Sequence, residues 1–278
     1  MNFYDLVDSG EGRRLERFGD YLLDRPDPQI IWKKSLSAEE WGKADAFFQR
    51  TKEDKGTWII NTSVPEKWKL EYNGIEFLAK LSPFKHTGVF PEQAVQWEYI
   101  ADAVKGKNAH VLHLFAYTGI ATLFAARSGA RVTHVDASKP AIDWANENRK
   151  VNGMDAAPIR WIIDDALAFT AREMKRGITY DAIIMDPPVY GHGPKGEVWD
   201  FNRDFPKLLA NCKQLVSPNP LFVLVNAYAI SSSSITLANT LNDYFETFGG
   251  HIENGELTLK ETSAGRLLST GIWARWSK

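Results

Sequence analysis

The chain holds one cysteine, Cys212, among its 278 residues. An internal disulfide is excluded, no cysteine pair exists for a zinc site, and a reducing cytosol is the expected compartment. Neither sign of charge dominates: 33 Lys and Arg stand against 35 Asp and Glu, for a net charge of −2. Residues 1–100 are no more basic, with 14 basic and 17 acidic side chains. Gripping nucleic acid through bulk charge is thereby excluded, although a local basic face is not. Long apolar runs are missing too. The longest, "LFVLVNAYAI" at 221–230, is too short to cross a bilayer and contains Asn226, so no membrane partner is expected. No signal-peptide pattern, internal repeat or low-complexity stretch is found.

What is present is ordinary globular material, 44% hydrophobic and 24% charged. That suits one large domain plus a smaller one. Residues 1–82 read as a small β-rich N-terminal domain with one helix. "GTWIINT" and "WKLEYNGIEFLAKL" alternate like half-buried strands, and Asn73-Gly74 is placed as a hairpin turn. "SAEEWGKADAFFQR" (37–50) is expected to be the helix, capped by Ser37 with Glu40 completing a capping box. Residues 83–104 are read as a connecting segment.

From 105 to 278 the rhythm becomes strand and helix in alternation. "HVLHLFAY", "RVTHVDA", "PIRWII", "YDAIIMD" and "PLFVLVNA" read as strands with helical patterns between them. "GELTLKE" and "STGIWARWS" are expected to form a closing hairpin. The fold class is α/β, a mostly parallel sheet covered on both faces.

In such a sheet, ligands bind beyond the carboxyl ends of the strands. Four successive strands deliver "FAYTGIA" (115–121), Asp136, Asp164-Asp165-Ala166 and Asp186-Pro187-Pro188 to that edge. A tight turn at Gly119, followed by an acid at the next strand tip, suits an adenosine-bearing cofactor, the acid taking the ribose hydroxyls. A dinucleotide site would want G-x-G-x-x-G for its pyrophosphate. Here there is one glycine, and Tyr117 and Thr118 stand where phosphates would lie. S-adenosylmethionine, which has no phosphate, fits better than a nicotinamide cofactor. Asp165 and Ala166 suit an adenine edge; equally, Asp164 or Asp165 could cap the next helix.

The stretch "DPPVY" (186–190) holds a carboxylate ahead of two prolines, whose rings remove backbone freedom. A target N–H could bond both the Asp186 carboxylate and the Pro187 carbonyl, aiming the nitrogen lone pair at a sulfonium methyl. Pro188 and Tyr190 could bind a flat substrate, with Trp199 as a second clamp. The plainer alternative is a strand stop. His110 and His113 have no metal-ligand pattern, and no metal site is expected.

Together "FKHTGVFPEQAVQW" (84–97), "LFAYTGIATLFAARSGARVTHVDASKPAIDWANENRKVNG" (114–153) and "DPPVYGHGPKGE" (186–197) resemble class I S-adenosylmethionine-dependent methyltransferases. The likeness extends to the ribosomal large-subunit RNA methyltransferases that modify 23S rRNA cytosines or guanines. The resemblance implies a Rossmann-like seven-strand fold and an RNA substrate. It assigns Phe115, Tyr117, Thr118 and Gly119 to the methionine side of the cofactor. Asp136 would hold the ribose and Ala137 touch the adenine, whose edge Asp165 and Ala166 would read. Asp186 and Pro187 would face the transferred methyl, with Phe90 and Gln93 near the cofactor mouth. The chain departs from the group by lacking the N-terminal PUA module of some members. It also has Asn226-Ala227 after the fifth strand, where the cytosine-C5 enzymes carry a nucleophilic cysteine. Carbon-5 needs a thiolate adduct before it can attack, so a nitrogen target is expected. Two alternatives stay open: methylation of a protein or small-molecule nitrogen, and a non-catalytic cofactor-binding partner.

Overall fold

The computed structural model describes residues 3–51, 56–228 and 230–278. It divides into two compact units, Met1–Glu92 with Thr258–Leu268, and Gln93–Leu257 with Ser269–Lys278.

The first unit is built on strands β1 (Tyr4–Gly10), β2 (Arg13–Phe18) and β3 (Tyr21–Pro26), a four-residue helix α1 (Ala38–Trp41), and strands β4 (Ala46–Arg50) and β5 (Gly56–Ile60). These strands form one sheet in chain order. Strands β6 (Trp68–Tyr72) and β7 (Ile75–Ala79) make a separate hairpin. Its turn places Asn73 and Gly74 both at positive φ, 47° and 74°, as a two-residue hairpin of this type requires.

The helix expected over 37–50 stops after one turn. Ser37 caps it by accepting the Glu40 N–H, but residues 46–50 form β4. There they pair with β3 and β5 and bury Ala46 and Phe48. Sheet pairing outweighs local helical preference.

This division departs from a cut at residue 82. The Trp58 indole donates to the Ser82 and Phe84 carbonyls, and Arg25 to that of Lys85. Leu259 and Leu268 pack with Leu6 and Ile30, and Glu261 accepts the Ser9 N–H at 2.6 Å.

The second unit opens with α2 (Ala94–Val104) and β8 (His110–Leu114). It continues with α3 (Ile120–Arg127), β9 (Arg131–Asp136), α4 (Lys139–Val151), β10 (Ile159–Ile163), α5 (Ala166–Lys175) and β11 (Ala182–Met185). A short hairpin of β12 (Tyr190–His192) and β13 (Val198–Asp200) precedes α6 (Phe201–Leu215), β14 (Phe222–Ala227) and α7 (Ser234–Phe245). Strands β15 (His251–Lys260) and β16 (Leu267–Ser277) end the chain, their distal parts falling in the first unit.

Seven strands form one sheet in the order β10-β9-β8-β11-β14-β16-β15. The five from β10 to β14 are parallel, and β16 is antiparallel to β14. Strands β11 and β14 are buried along their whole length, which is why they read as continuous apolar runs. Strand order reverses between β8 and β11, and that switch point positions the site. No helix among the described residues is long and apolar enough to cross a membrane.

Candidate functional site

Five strand ends meet along the carboxyl edge of the sheet. After β8 the backbone turns through three left-handed residues, Phe115 (φ 53°), Tyr117 (φ 48°) and Gly119 (φ 77°). Two are not glycine, and such geometry persists only where the surroundings hold it. Here the Tyr117 N–H donates to Asp136 Oδ2 at 2.8 Å, and Asn148, wholly buried on α4, donates to the Thr118 carbonyl at 2.9 Å. Gly119 begins α3. A Cβ there would lie 2.9 Å from the Ala145 Cβ and 3.3 Å from His134 Cε1, so the close helix-to-strand approach needs glycine.

Asp136 ends β9. Its second oxygen accepts the Ser138 N–H at 2.8 Å, and burial raises its pKa. Each carboxylate oxygen keeps a further acceptor site. Ala137 follows it, half-buried. At the end of β10, Asp165 caps α5 by accepting the Ala168 N–H at 2.8 Å, and Ala166 is buried. Asp164 pairs with Arg172.

Asp186 follows β11 directly. Gln93 Nε2 donates to its Oδ2 at 2.6 Å, and Gln93 Oε1 accepts from Asn226 Nδ2 at 3.1 Å. Burial pushes the Asp186 carboxyl up to about 6, opposed by the Gln93 bond. Neither Asp136 nor Asp186 is paired with a Lys or Arg among the described residues. Two half-buried acids at one sheet edge without countercharge suit a cationic ligand rich in donors. Pro187 is buried, Pro188 exposed, and Tyr190 is 56% exposed.

Trp199 differs from its expected role as a clamp. It is 3% exposed, packs edge-on against Phe115 with centroids 4.9 Å apart, and donates to the Pro188 carbonyl. An indole enclosed this way supports the loop and presents no face to a base. Phe90 belongs to the first unit, its ring 5.3 Å from that of His86. His113 is a buried core residue bonded to Thr122. Cys212 is buried on α6, where desolvation pushes its thiol pKa well up, so it is no nucleophile. Basic charge beside the loop is partly committed, since Arg203 and Lys207 both pair with buried Asp204.

Asn148 and Asn226, which no sequence expectation assigns to this site, bond to Thr118 and Gln93 there. For Asn226 the signal was there: one amide inside an apolar strand.

The model of the S-adenosylmethionine-dependent methyltransferase family matches residues 30–254. A ribosomal RNA large subunit methyltransferase K/L of Shewanella frigidimarina is 36% identical over 214 residues, 76% of this chain and 28% of that protein. The Vibrio cholerae protein of the same name is 33% identical over 155 residues, covering 55% of this chain and 21% of its own length. The chain thus spans about a quarter of the curated relatives it matches. The solved structure of an S-adenosylmethionine-dependent methyltransferase from Agrobacterium tumefaciens superposes with a TM-score of 0.96 at 42% identity, covering 99% of this chain and 90% of that one. A Streptococcus mutans structure at 17% identity and TM-score 0.74 shares the fold.

Proposed function

Because this chain belongs to the S-adenosylmethionine-dependent methyltransferase family and so is an enzyme using that cofactor, we propose that its acceptor is a nitrogen of an RNA base, with large-subunit ribosomal RNA the first choice. The observation that carries this reading is the state of Asp186. It is a desolvated carboxylate, bonded by Gln93 and followed by two prolines, at the switch point of the sheet. Such a group orients an N–H and needs no covalent help. Cys212 supplies none, and Asn226-Ala227 occupy the end of β14. The names of the curated relatives support ribosomal RNA as the acceptor, and a cytosolic location goes with that substrate.

When bound, S-adenosylmethionine supplies an electrophilic methyl group on a positively charged sulfur. The residues present fit it. Asp136 keeps an acceptor site on each oxygen for the two ribose hydroxyls. Phe115, Tyr117, Thr118 and Gly119 would hold the methionine end, and the left-handed turn exposes backbone groups there. Ala137, Asp165 and Ala166 would border the adenine, with the cap bond leaving Asp165 its second oxygen. Asp186 and the Pro187 carbonyl would share one N–H of the acceptor, and the carboxylate takes a proton as the nitrogen becomes substituted. Pro188 and Tyr190 would border the base.

The test is transfer of tritiated methyl from labelled cofactor to large-subunit rRNA taken from cells lacking this protein. Digestion to nucleosides and mass spectrometry then identify the product. An N-methylated nucleoside is expected. 5-Methylcytidine would overturn the nitrogen assignment. Label confined to protein or small-metabolite fractions would overturn RNA as the acceptor.

A further inference from the structure

The Asp186–Gln93–Asn226 chain has a direction. A carboxylate only accepts, so Gln93 must turn its NH2 toward Asp186. Its carbonyl oxygen then faces away and takes the Asn226 Nδ2 donor. That fixes the Asn226 amide in turn and leaves Oδ1 as the free end. Asn226 is 2% exposed, and Oδ1 has no hydrogen-bond partner among the described residues. Natural structures seldom leave such an atom bare without a reason. The rest of β14, "FVLV" before it and Ala227 after it, is apolar.

Position narrows what the oxygen is for. Met185 pairs with Val225 in the sheet, so Asp186 and Asn226 are the next residues on adjacent strands. The order β10-β9-β8-β11-β14 puts the turn after β8 and the acids after β9 and β10 on one side of Asp186, and Asn226 on the other. A donor reaching Asn226 thus comes from the acceptor's side of the carboxylate. Building on the nitrogen reading above, we propose that Asn226 Oδ1 accepts a second N–H from the acceptor group, so that the enzyme selects an amino group, or an edge presenting two adjacent N–H bonds, over a hydroxyl or a carbon. Asp186 takes one N–H and Asn226 the other, and the lone pair is left facing the methyl donor.

The test pairs two measurements on the full chain and its Asn226→Ala variant. Calorimetry with S-adenosylhomocysteine reports both folding of the site and cofactor affinity; dissociation constants within twofold are expected. Initial rates with labelled cofactor and an unmodified large-subunit rRNA transcript should show kcat/KM lower by about tenfold to a hundredfold. A tenfold loss of S-adenosylhomocysteine affinity would overturn the proposal, because the oxygen would then serve the cofactor. An unchanged kcat/KM would overturn it as well, leaving a trapped water as the partner. If the alanine variant does not fold, Asn226→Ser is read the same way. If the wild-type enzyme labels protein or metabolite amines and no RNA, the RNA reading fails alone, and the same comparison on that fraction decides the role of Asn226. A wild-type enzyme that labels none of the three sinks both.

Discussion

The Trp199 indole donates to the Pro188 carbonyl at 2.7 Å while its ring rests edge-on against Phe115. One buried side chain therefore joins the loop after β11 to the turn after β8, the two backbone segments that flank the switch point. Rigidity of the Asp186 loop thus comes from its prolines and from this strut together. Trp199→Phe keeps a ring but removes the donor. It should lower stability by about 1–2 kcal/mol in urea titration. The kcat should drop about tenfold, with S-adenosylhomocysteine affinity nearly unchanged, since misplacement of the acceptor hook affects the chemical step most.

Much of this was legible in the chain. The alternation of apolar runs and helical patterns gave the sheet and the strand ends that carry Asp136 and Asp186. Trp199 was not legible, because a tryptophan beside a glycine-rich loop looks alike whether it faces solvent or core. Its burial depends on Phe115, some eighty residues away. The early end of α1 at Gly42 was not legible for a related reason, as β4 forms only because β3 and β5 are there to pair with it. Asn226 needed the register between β11 and β14 before its place beside Asp186 could be seen.

Asp186 sets a pH dependence with two opposite readouts. Its folded pKa is about 6, above the usual carboxylate value near 3.9. The folded protein therefore binds this proton more tightly than the unfolded chain, and the group's cost to stability grows as pH rises from about 4 to 6. Asp186→Asn removes that cost and should raise neutral-pH stability by about 1–3 kcal/mol, with little change at pH 4. Activity moves the other way. The wild-type kcat/KM should rise with pH through a midpoint near 6, and the variant should lose about a hundredfold and the limb itself. A more stable and less active variant, by melting temperature and initial rate, is the expected pair.

Gly119 tests the cofactor turn. Alanine there would combine a φ of 77° with a Cβ 2.9 Å from that of Ala145. The expected cost is about 1–3 kcal/mol of stability. Because Tyr117 and Asp136 are joined through this turn, S-adenosylhomocysteine affinity should fall at least about tenfold by calorimetry. The KM for the cofactor should rise more than kcat falls.

Beneath that turn lies a buried chain of three polar groups. Thr122 Oγ1 is 2.8 Å from His113 Nδ1 and 2.9 Å from His134 Nδ1. A hydroxyl has one hydrogen, so it donates to one ring and accepts from the other. His134 Nε2 is buried and has no partner among the described residues, and a bare acceptor is tolerated better than a bare N–H. His134 therefore carries its proton on Nδ1 and donates to Thr122, which donates to His113; His113 carries its own on Nε2. Nitrogen-15 NMR should find opposite tautomers on the two rings. Burial holds both pKa values down, that of His113 to about 3. Below pH about 6.5 the unfolded chain takes up protons that the folded state refuses. Stability from this pair is thus complete above 6.5 and is lost as pH falls toward 3, opposite in sign to the effect of Asp186. Urea titration should show stability falling between pH 7 and pH 5, with the His113 share about 2 kcal/mol. Thr122→Val should cost about 1–3 kcal/mol at pH 7 by stranding both rings, and Thr122→Ser, which keeps the hydroxyl, should recover most of it.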